Sequence, residues 1–534
     1  MWRALLVICI LLAAMTFWLM PQREQAAAKQ RDDVYRFIET RCWFRIPHEQ
    51  DIVCGELHTP LSAGNFTLPV VRIRDHSAEH RSDPVIYLPG GPGGSAGLSE
   101  EGIHHWINWL AYAQLGRDLI LMEPRGVGLS QPRLACAAYD QLSLKLLKQN
   151  ASLQQELAES YALLEQCFAQ RKTSGQQAGY YTTAHNAADV QALIGLFAEK
   201  NPAEQAWNLL GVSYGSRLAM VTAQDFPLVR SVILDSPYPP PYGGLHGWPA
   251  LFERSLQRFF QWCAATTSCQ GESAHPPSIE RLFLALKSLR AQPVTLTIRR
   301  WDGEPPIDLV LNDHRFLSAI FAALYSVYDR DKIVPAIEAI IQYQSDYFIE
   351  NVDTTEIRSE GRLENQLGGR TQRRMAGIRE DRRAALEALV EPFINNVFTE
   401  DFNSLVFFAV DCHDHPVLPE ADYLQQIEKH PLFADYMRDL WRYQTCHFLS
   451  PADAATIQLD DLPQQPTLLL AGALDPITPP EWAQELHRQW SNSQLIMRDD
   501  IGHAVISSDA CVHRHLRQFL DAPHQPLELR CDDH

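Results

Sequence analysis

Trp207-Asn208-Leu209-Leu210-Gly211-Val212-Ser213-Tyr214-Gly215 is the stretch on which the reading of this 534-residue chain turns. The apolar run Trp207 to Leu210 leads into Gly211-Val212-Ser213-Tyr214-Gly215, and a helix-compatible stretch begins near Tyr214. Glycines on both sides of a serine permit a sharp turn from strand to helix, and such a turn lifts the hydroxyl clear of a sheet. Five residues alone could form an ordinary turn. The strand before and the helix after them make Ser213 the candidate nucleophile.

A serine hydroxyl attacks only when a base takes its proton, so an acid and a histidine are expected downstream, each after a late strand. Asp475 follows the apolar run Thr467 to Ala471 in Gly472-Ala473-Leu474-Asp475-Pro476, and His503 follows Gln494 to Met497 in Gly502-His503-Ala504. Singly, an Asp before Pro reads as a turn or helix cap and a Gly-His pair as a surface loop. Together, in the order Ser, Asp, His, they predict a triad. Acyl transfer also needs backbone N–H donors for the developing oxyanion. The amide of Tyr214 is one candidate. Gly91 is the other, from Pro89-Gly90-Gly91-Pro92-Gly93-Gly94 after the strand Val85 to Leu88.

Working outward, short unalternated apolar runs recur at Val85 to Leu88, Leu119 to Met122, Trp207 to Leu210, Val229 to Leu234 and Thr467 to Ala471. Runs of this kind suit parallel strands buried on both faces, and helical patterns such as Ala187 to Phe197 lie between them. The alternation predicts a doubly wound, mostly parallel α/β sheet. From about Ser236 to about Leu462 the rhythm gives way to amphipathic helices: Ile279 to Leu289, Phe316 to Val327 and Ile333 to Tyr343. A hairpin of Val294 to Arg299 with Ile307 to Leu311 interrupts them. The chain thus divides into residues 29–235 and 463–534, which form the sheet domain, and 236–462, a mainly helical cap inserted between them. Within the cap, Asn351 to Arg383 is rich in both charge signs and reads as a lid or a solvated loop.

Composition narrows the partners. With 46 basic against 65 acidic side chains the formal charge is −19, which repels phosphate backbones and excludes a nucleic-acid partner. Arg3 followed by the apolar run Ala4 to Met20 is an export signal within residues 1–28. The run fits either a signal cleaved near Ala26-Ala27-Ala28 or an uncleaved anchor that would tether the body to the inner membrane through residues 4–20. Setting Cys9 aside leaves ten cysteines, many as near neighbours: Cys42 with Cys54, Cys136 with Cys167, Cys263 with Cys269, Cys412 with Cys446, Cys511 with Cys531. Their local spacing fits five disulfides and a periplasmic or secreted body.

These motifs carry a resemblance. The Gly-Gly-Pro-Gly loop, Glu123-Pro124-Arg125-Gly126-Val127-Gly128-Leu129-Ser130, the serine turn, Leu474-Asp475-Pro476 and Gly502-His503 resemble the prolyl iminopeptidase and tripeptidyl aminopeptidase family of serine peptidases. The likeness runs from about Cys42 to Cys531 and is nearest the exported tripeptidyl branch, which Tyr180-Tyr181-Thr182-Thr183 and Asp189 also resemble. It implies the α/β-hydrolase fold and release of a residue or short peptides, often with proline near the cleaved bond, from free N-termini. It implies peptides as partners and no metal or organic cofactor. Pro89 stands where the family often has His, and Glu123 where it usually has Asp. Asp411-Cys412-His413-Asp414 resembles an acidic segment of the tripeptidyl branch, which implies Asp414, with Asp411, as anchor for the substrate amine. The same cluster with His415 is too closely spaced to converge on one metal ion without a distant second set of ligands. Two other readings stay open on sequence: an esterase or lipase-like hydrolase, and an envelope-anchored binding protein that has lost catalysis.

Overall fold

A computed structural model describes residues 33–48, 50–173, 177–240, 242–244, 247–270, 276–352, 364–399, 401–415, 417–449, 464–507 and 510–527, with backbone alone over most of 343–379. The apolar run Ala4 to Met20 lies outside these residues. Among the described residues no helix is long and apolar enough to cross a membrane.

Nine strands form one sheet: β1 Arg36–Thr40, β2 Ile52–His58, β3 Thr67–Ile73, β4 Arg81–Leu88, β5 Arg117–Met122, β6 Trp207–Val212, β7 Val229–Asp235, and, beyond the cap, β10 Thr467–Gly472 and β11 Ser493–Arg498. Their order is β1-β2-β3-β5-β4-β6-β7-β10-β11. The strands from β5 to β11 in that order run parallel, and β1, β2 and β3 pair antiparallel at one edge. Each parallel run expected from the sequence is a strand of this sheet.

Those runs lack alternation because both faces are covered. Ile120, Leu209, Val232 and Leu469 point into one core with the helices Thr183–Lys200 and Tyr214–Ala223, and their strand neighbours Leu119, Leu121, Leu210, Ile233 and Leu470 point into the other. The helices Glu100–Ala113 and Ala510–Asp521 close that second face. Each strand side chain therefore leaves water whichever way it points.

A third apolar cluster forms in the segment between β7 and β10 that was expected as the cap. It joins the helices Trp248–Ala265, Ile279–Ala291, Asp313–Tyr325 and Ile333–Val352 to the hairpin β8 Val294–Ile298 and β9 Ile307–Leu311. Two features depart from the sequence reading. The charged stretch expected as a lid or loop is helical from Glu364, in a helix that runs to Val397. The helix Ser404–Asp414 packs Leu405, Val406, Ala409 and Val410 into the core under the sheet and not into the cap's own cluster.

Disulfides join Cys42 to Cys54, Cys136 to Cys167, Cys263 to Cys269 and Cys412 to Cys446, as the near-neighbour spacing suggested. Cys511 is also disulfide-bonded, and Cys531 lies outside the described residues.

Candidate active site

Strand β6 ends in a turn at which Ser213 has φ 57° and ψ −122°, a conformation costly for a side-chain-bearing residue. Its two glycines are required by space. A Cβ on Gly211 would lie 2.2 Å from the carbonyl oxygen of Gly215, and one on Gly215 would lie 1.9 Å from that of Leu88. The turn therefore wedges the start of the helix Tyr214–Ala223 against the end of β4. Ser213 N–H donates to the backbone oxygen of Asp235 at 2.9 Å, which ties the turn to β7.

The glycine-rich loop after β4 sits directly against this serine. A Cβ on Gly90 would come within 3.2 Å of Ser213 Cβ, and Gly91 has φ 118°. Two groups hold the loop. The Asn403 amide donates to the Gly93 oxygen at 2.8 Å, and Ser95 N–H to the Asp401 oxygen at 2.7 Å. Beneath it, buried Glu123 accepts Ser95 Oγ at 2.8 Å and Ala96 N–H at 3.0 Å. Burial pushes the Glu123 carboxyl up to about 7, against the pull of those donors.

Asp475 and His503 lie together. His503 Nδ1 lies 2.8 Å from Asp475 Oδ2, and Asp475 Oδ1 accepts the amides of Ile477 and Thr478 at 2.9 and 2.8 Å. Burial alone would raise the Asp475 carboxyl, but the His503 charge and hydrogen bond, then the two amides, outweigh it and hold the group below its ordinary value. For His503 burial opposes the charge. Asp475, through charge and hydrogen bond, and then Asp235 outweigh it, and the imidazole is raised above its ordinary value. No hydrogen bond joins Ser213 Oγ to His503 among the described residues. The two loops are tied one layer below, through Asp235.

Sequence reasoning missed that tie. Asp235 ends β7 and is fully buried, and its two carboxylate oxygens accept the amides of Val505 and Ile506 at 3.0 and 2.8 Å. Ser236 Oγ accepts Ala504 N–H at 3.0 Å. One dipeptide thus grips the backbone after His503 while its own carbonyl holds Ser213. Burial raises the Asp235 carboxyl to about 6 in spite of those amides. An acid closing an apolar strand was the available signal. Two further contacts have no sequence signature: Thr478 Oγ1 donates to Asp475 Oδ2 at 2.8 Å, and the Tyr325 ring packs edge-on to the His503 ring with centroids 5.1 Å apart.

Asp411 and Asp414 lie in a buried network beside the serine turn. Asp414 Oδ2 accepts Thr183 Oγ1 at 2.7 Å and faces Arg217 Nη1 at 3.4 Å, while Asp414 Oδ1 is buried without a hydrogen-bond partner among the described residues. Thr183 Oγ1 is also 2.9 Å from the Tyr214 hydroxyl. Asp411 is buried too, and burial pushes it up to about 7 against the attraction of Arg217. Cys412 is spent in its disulfide, and among the described residues no group of His, Cys, Asp or Glu could hold a metal ion.

The family pattern described as alpha/beta hydrolase fold matches residues 83–351, and that described as TAP-like protein matches residues 431–531. The chain belongs to the α/β-hydrolase family, and its C-terminal segment is similar to the TAP-like proteins. It is 24% identical to the putative hydrolase YuaR of Escherichia coli over 274 residues, 47% of this chain and about half, 51%, of that relative. It is also 24% identical to the tripeptidyl aminopeptidases of Streptomyces lividans and Streptomyces coelicolor over 499 residues, 88% of this chain and 81% of theirs. In this family member, both matched segments contain candidate site residues: the first Gly91 and Ser213, the second Asp475 and His503.

Proposed function

We propose that the chain is an exported serine aminopeptidase that releases a residue or short peptide from free N-termini through an acyl-enzyme. The observation that carries the reading is the 2.8 Å bond between His503 Nδ1 and Asp475 Oδ2, reached in the order that the serine turn requires. Asp475 fixes the tautomer that leaves His503 Nε2 unprotonated toward Ser213.

Ser213 Oγ attacks the scissile carbonyl carbon and its proton passes to His503 Nε2. The oxyanion accepts N–H donors from Gly91 and Tyr214. When the C–N bond breaks, the imidazolium gives that proton to the leaving amine, and water, deprotonated by the same nitrogen, clears the ester. Asp411 and Asp414 are the proposed anchor for the substrate ammonium, with the unpartnered Asp414 Oδ1 as the available acceptor. The disulfides support an oxidising compartment and hence export. The names of the Streptomyces relatives support a peptide substrate.

Chromogenic peptides with free and with blocked N-termini, run beside short acyl esters, test the substrate class. Turnover of the free-amine peptides, lost on blocking, is expected. Turnover confined to esters would replace the peptidase by an esterase, and no turnover at all would favour a binding protein.

A further inference from the structure

Beside the catalytic groups the cap holds a cavity of about 520 Å³ whose wall is formed largely by Trp248, Phe252, Leu317, Phe321, Tyr325 and Ile477. Among the described residues no Asp, Glu, Lys or Arg lines it. Two of these residues also belong to the surroundings of the triad. Tyr325 is the ring packed edge-on to His503, and Ile477 donates its amide to Asp475.

We propose that this cavity receives a large apolar side chain on the residue immediately after the cleaved bond, an inference that rests on the aminopeptidase reading above. Direction comes from the chemistry. The carbonyl oxygen must turn toward the Gly91 and Tyr214 amides, and the leaving nitrogen must face His503, which protonates it. A cavity walled by the residue packed on His503 and by the loop of Asp475 therefore opens on the leaving side. The opposite end of the substrate carries an ammonium, which needs a carboxylate, and this cavity offers none. His314 also lines the wall, with its Nε2 3.2 Å from a Glu156 carboxylate oxygen. An apolar ring or branched chain gains from such a wall by leaving water, and a glycine gains nothing.

The test is a set of free-amine alanine peptides with one substituted residue moved along the chain, the cut located by mass spectrometry and kcat/KM measured for each. With the substituted residue directly after the cut, Phe or Leu is expected to exceed Gly by roughly 10- to 100-fold, the range of burying one such side chain. Substitution of Ala322, which also lines the cavity, by Trp is expected to bring that ratio toward one. A ratio near one in the wild type, or the same preference found for the residue before the cut, overturns the assignment and leaves the aminopeptidase reading standing. Absence of any cut in a free-amine peptide overturns both. Since the wild-type series is decisive alone, failure of Ala322→Trp to fold would not rescue the proposal.

Discussion

At the residue scale the proposed chemistry depends on how one imidazole is held. In the proposed mechanism His503 must be neutral to accept the serine proton, and its raised pKa places the acid limb of kcat/KM above the ordinary histidine value of about 6.5. Asp235→Asn removes a neighbouring negative charge, so the limb moves to lower pH. The amide also offers one acceptor oxygen where the carboxylate offered two, so Val505 or Ile506 loses its partner. At about 1–3 kcal/mol for an unsatisfied buried group, kcat is expected to fall by roughly 10- to 100-fold with little change in KM. A pH–rate profile of the variant checks both, and an unmoved limb would remove Asp235 from the account. Ser213, Asp475 and His503 were legible in the sequence because each follows a strand in a fixed order. Asp235, Thr478 and Tyr325 were not, since a residue that acts by gripping a loop or facing a ring has no spacing relation to the residue it supports.

At the element scale the site stands on close backbone approaches. Gly215→Ala places a methyl group 1.9 Å from the Leu88 oxygen, so the helix after Ser213 must move off β4. Overpacking of this kind costs about 1–3 kcal/mol. A lowered Tm together with loss of serine labelling is expected, and calorimetry beside active-site titration measures the pair. The Cys412–Cys446 disulfide acts at longer reach. It closes a sequence separation of 34 at the end of the helix Ser404–Asp414, whose capping residue Asn403 holds the Gly93 oxygen. Replacing both cysteines by serine is expected to cost about 2–5 kcal/mol in denaturant unfolding. The parallel strands were readable because burial on both faces leaves unbroken apolar runs. Strands β1, β2 and β3 were not. At this antiparallel edge, residues such as Glu39, Glu56 and Arg72 share the strands with apolar ones, and Gly55 and Pro69 interrupt the pattern. The helix Ser404–Asp414 was read as cap from its position in the chain, while its apolar face packs under the sheet.

At the scale of the whole molecule, several buried acids bear on stability. Burial raises Glu123 to about 7, Asp235 to about 6 and Asp411 to about 7. An acid with a folded pKa above its unfolded one keeps its proton in the folded state after the unfolded chain has lost it. Stability therefore falls as pH rises from about 4 to about 7. His503, also raised, adds to the same slope: its contribution is full below about 6.5 and is lost as pH climbs through its folded value. Asp475, lowered, contributes above about 4 and is lost only toward strong acid. Tm is thus expected to peak near pH 4 and to decline by pH 8, with a shallower decline in Glu123→Gln; a maximum at pH 8 would contradict the assignment of these groups. Ser213 remains the point on which the whole reading rests, and its reactivity can be asked about without knowing the substrate. Treating the protein with a fluorophosphonate probe and sequencing the modified peptide by mass spectrometry should find one adduct, on Ser213. Labelling should vanish in Ser213→Ala and slow by orders of magnitude in His503→Ala. Equal labelling of wild type and Ser213→Ala, or an adduct on another residue, would contradict it.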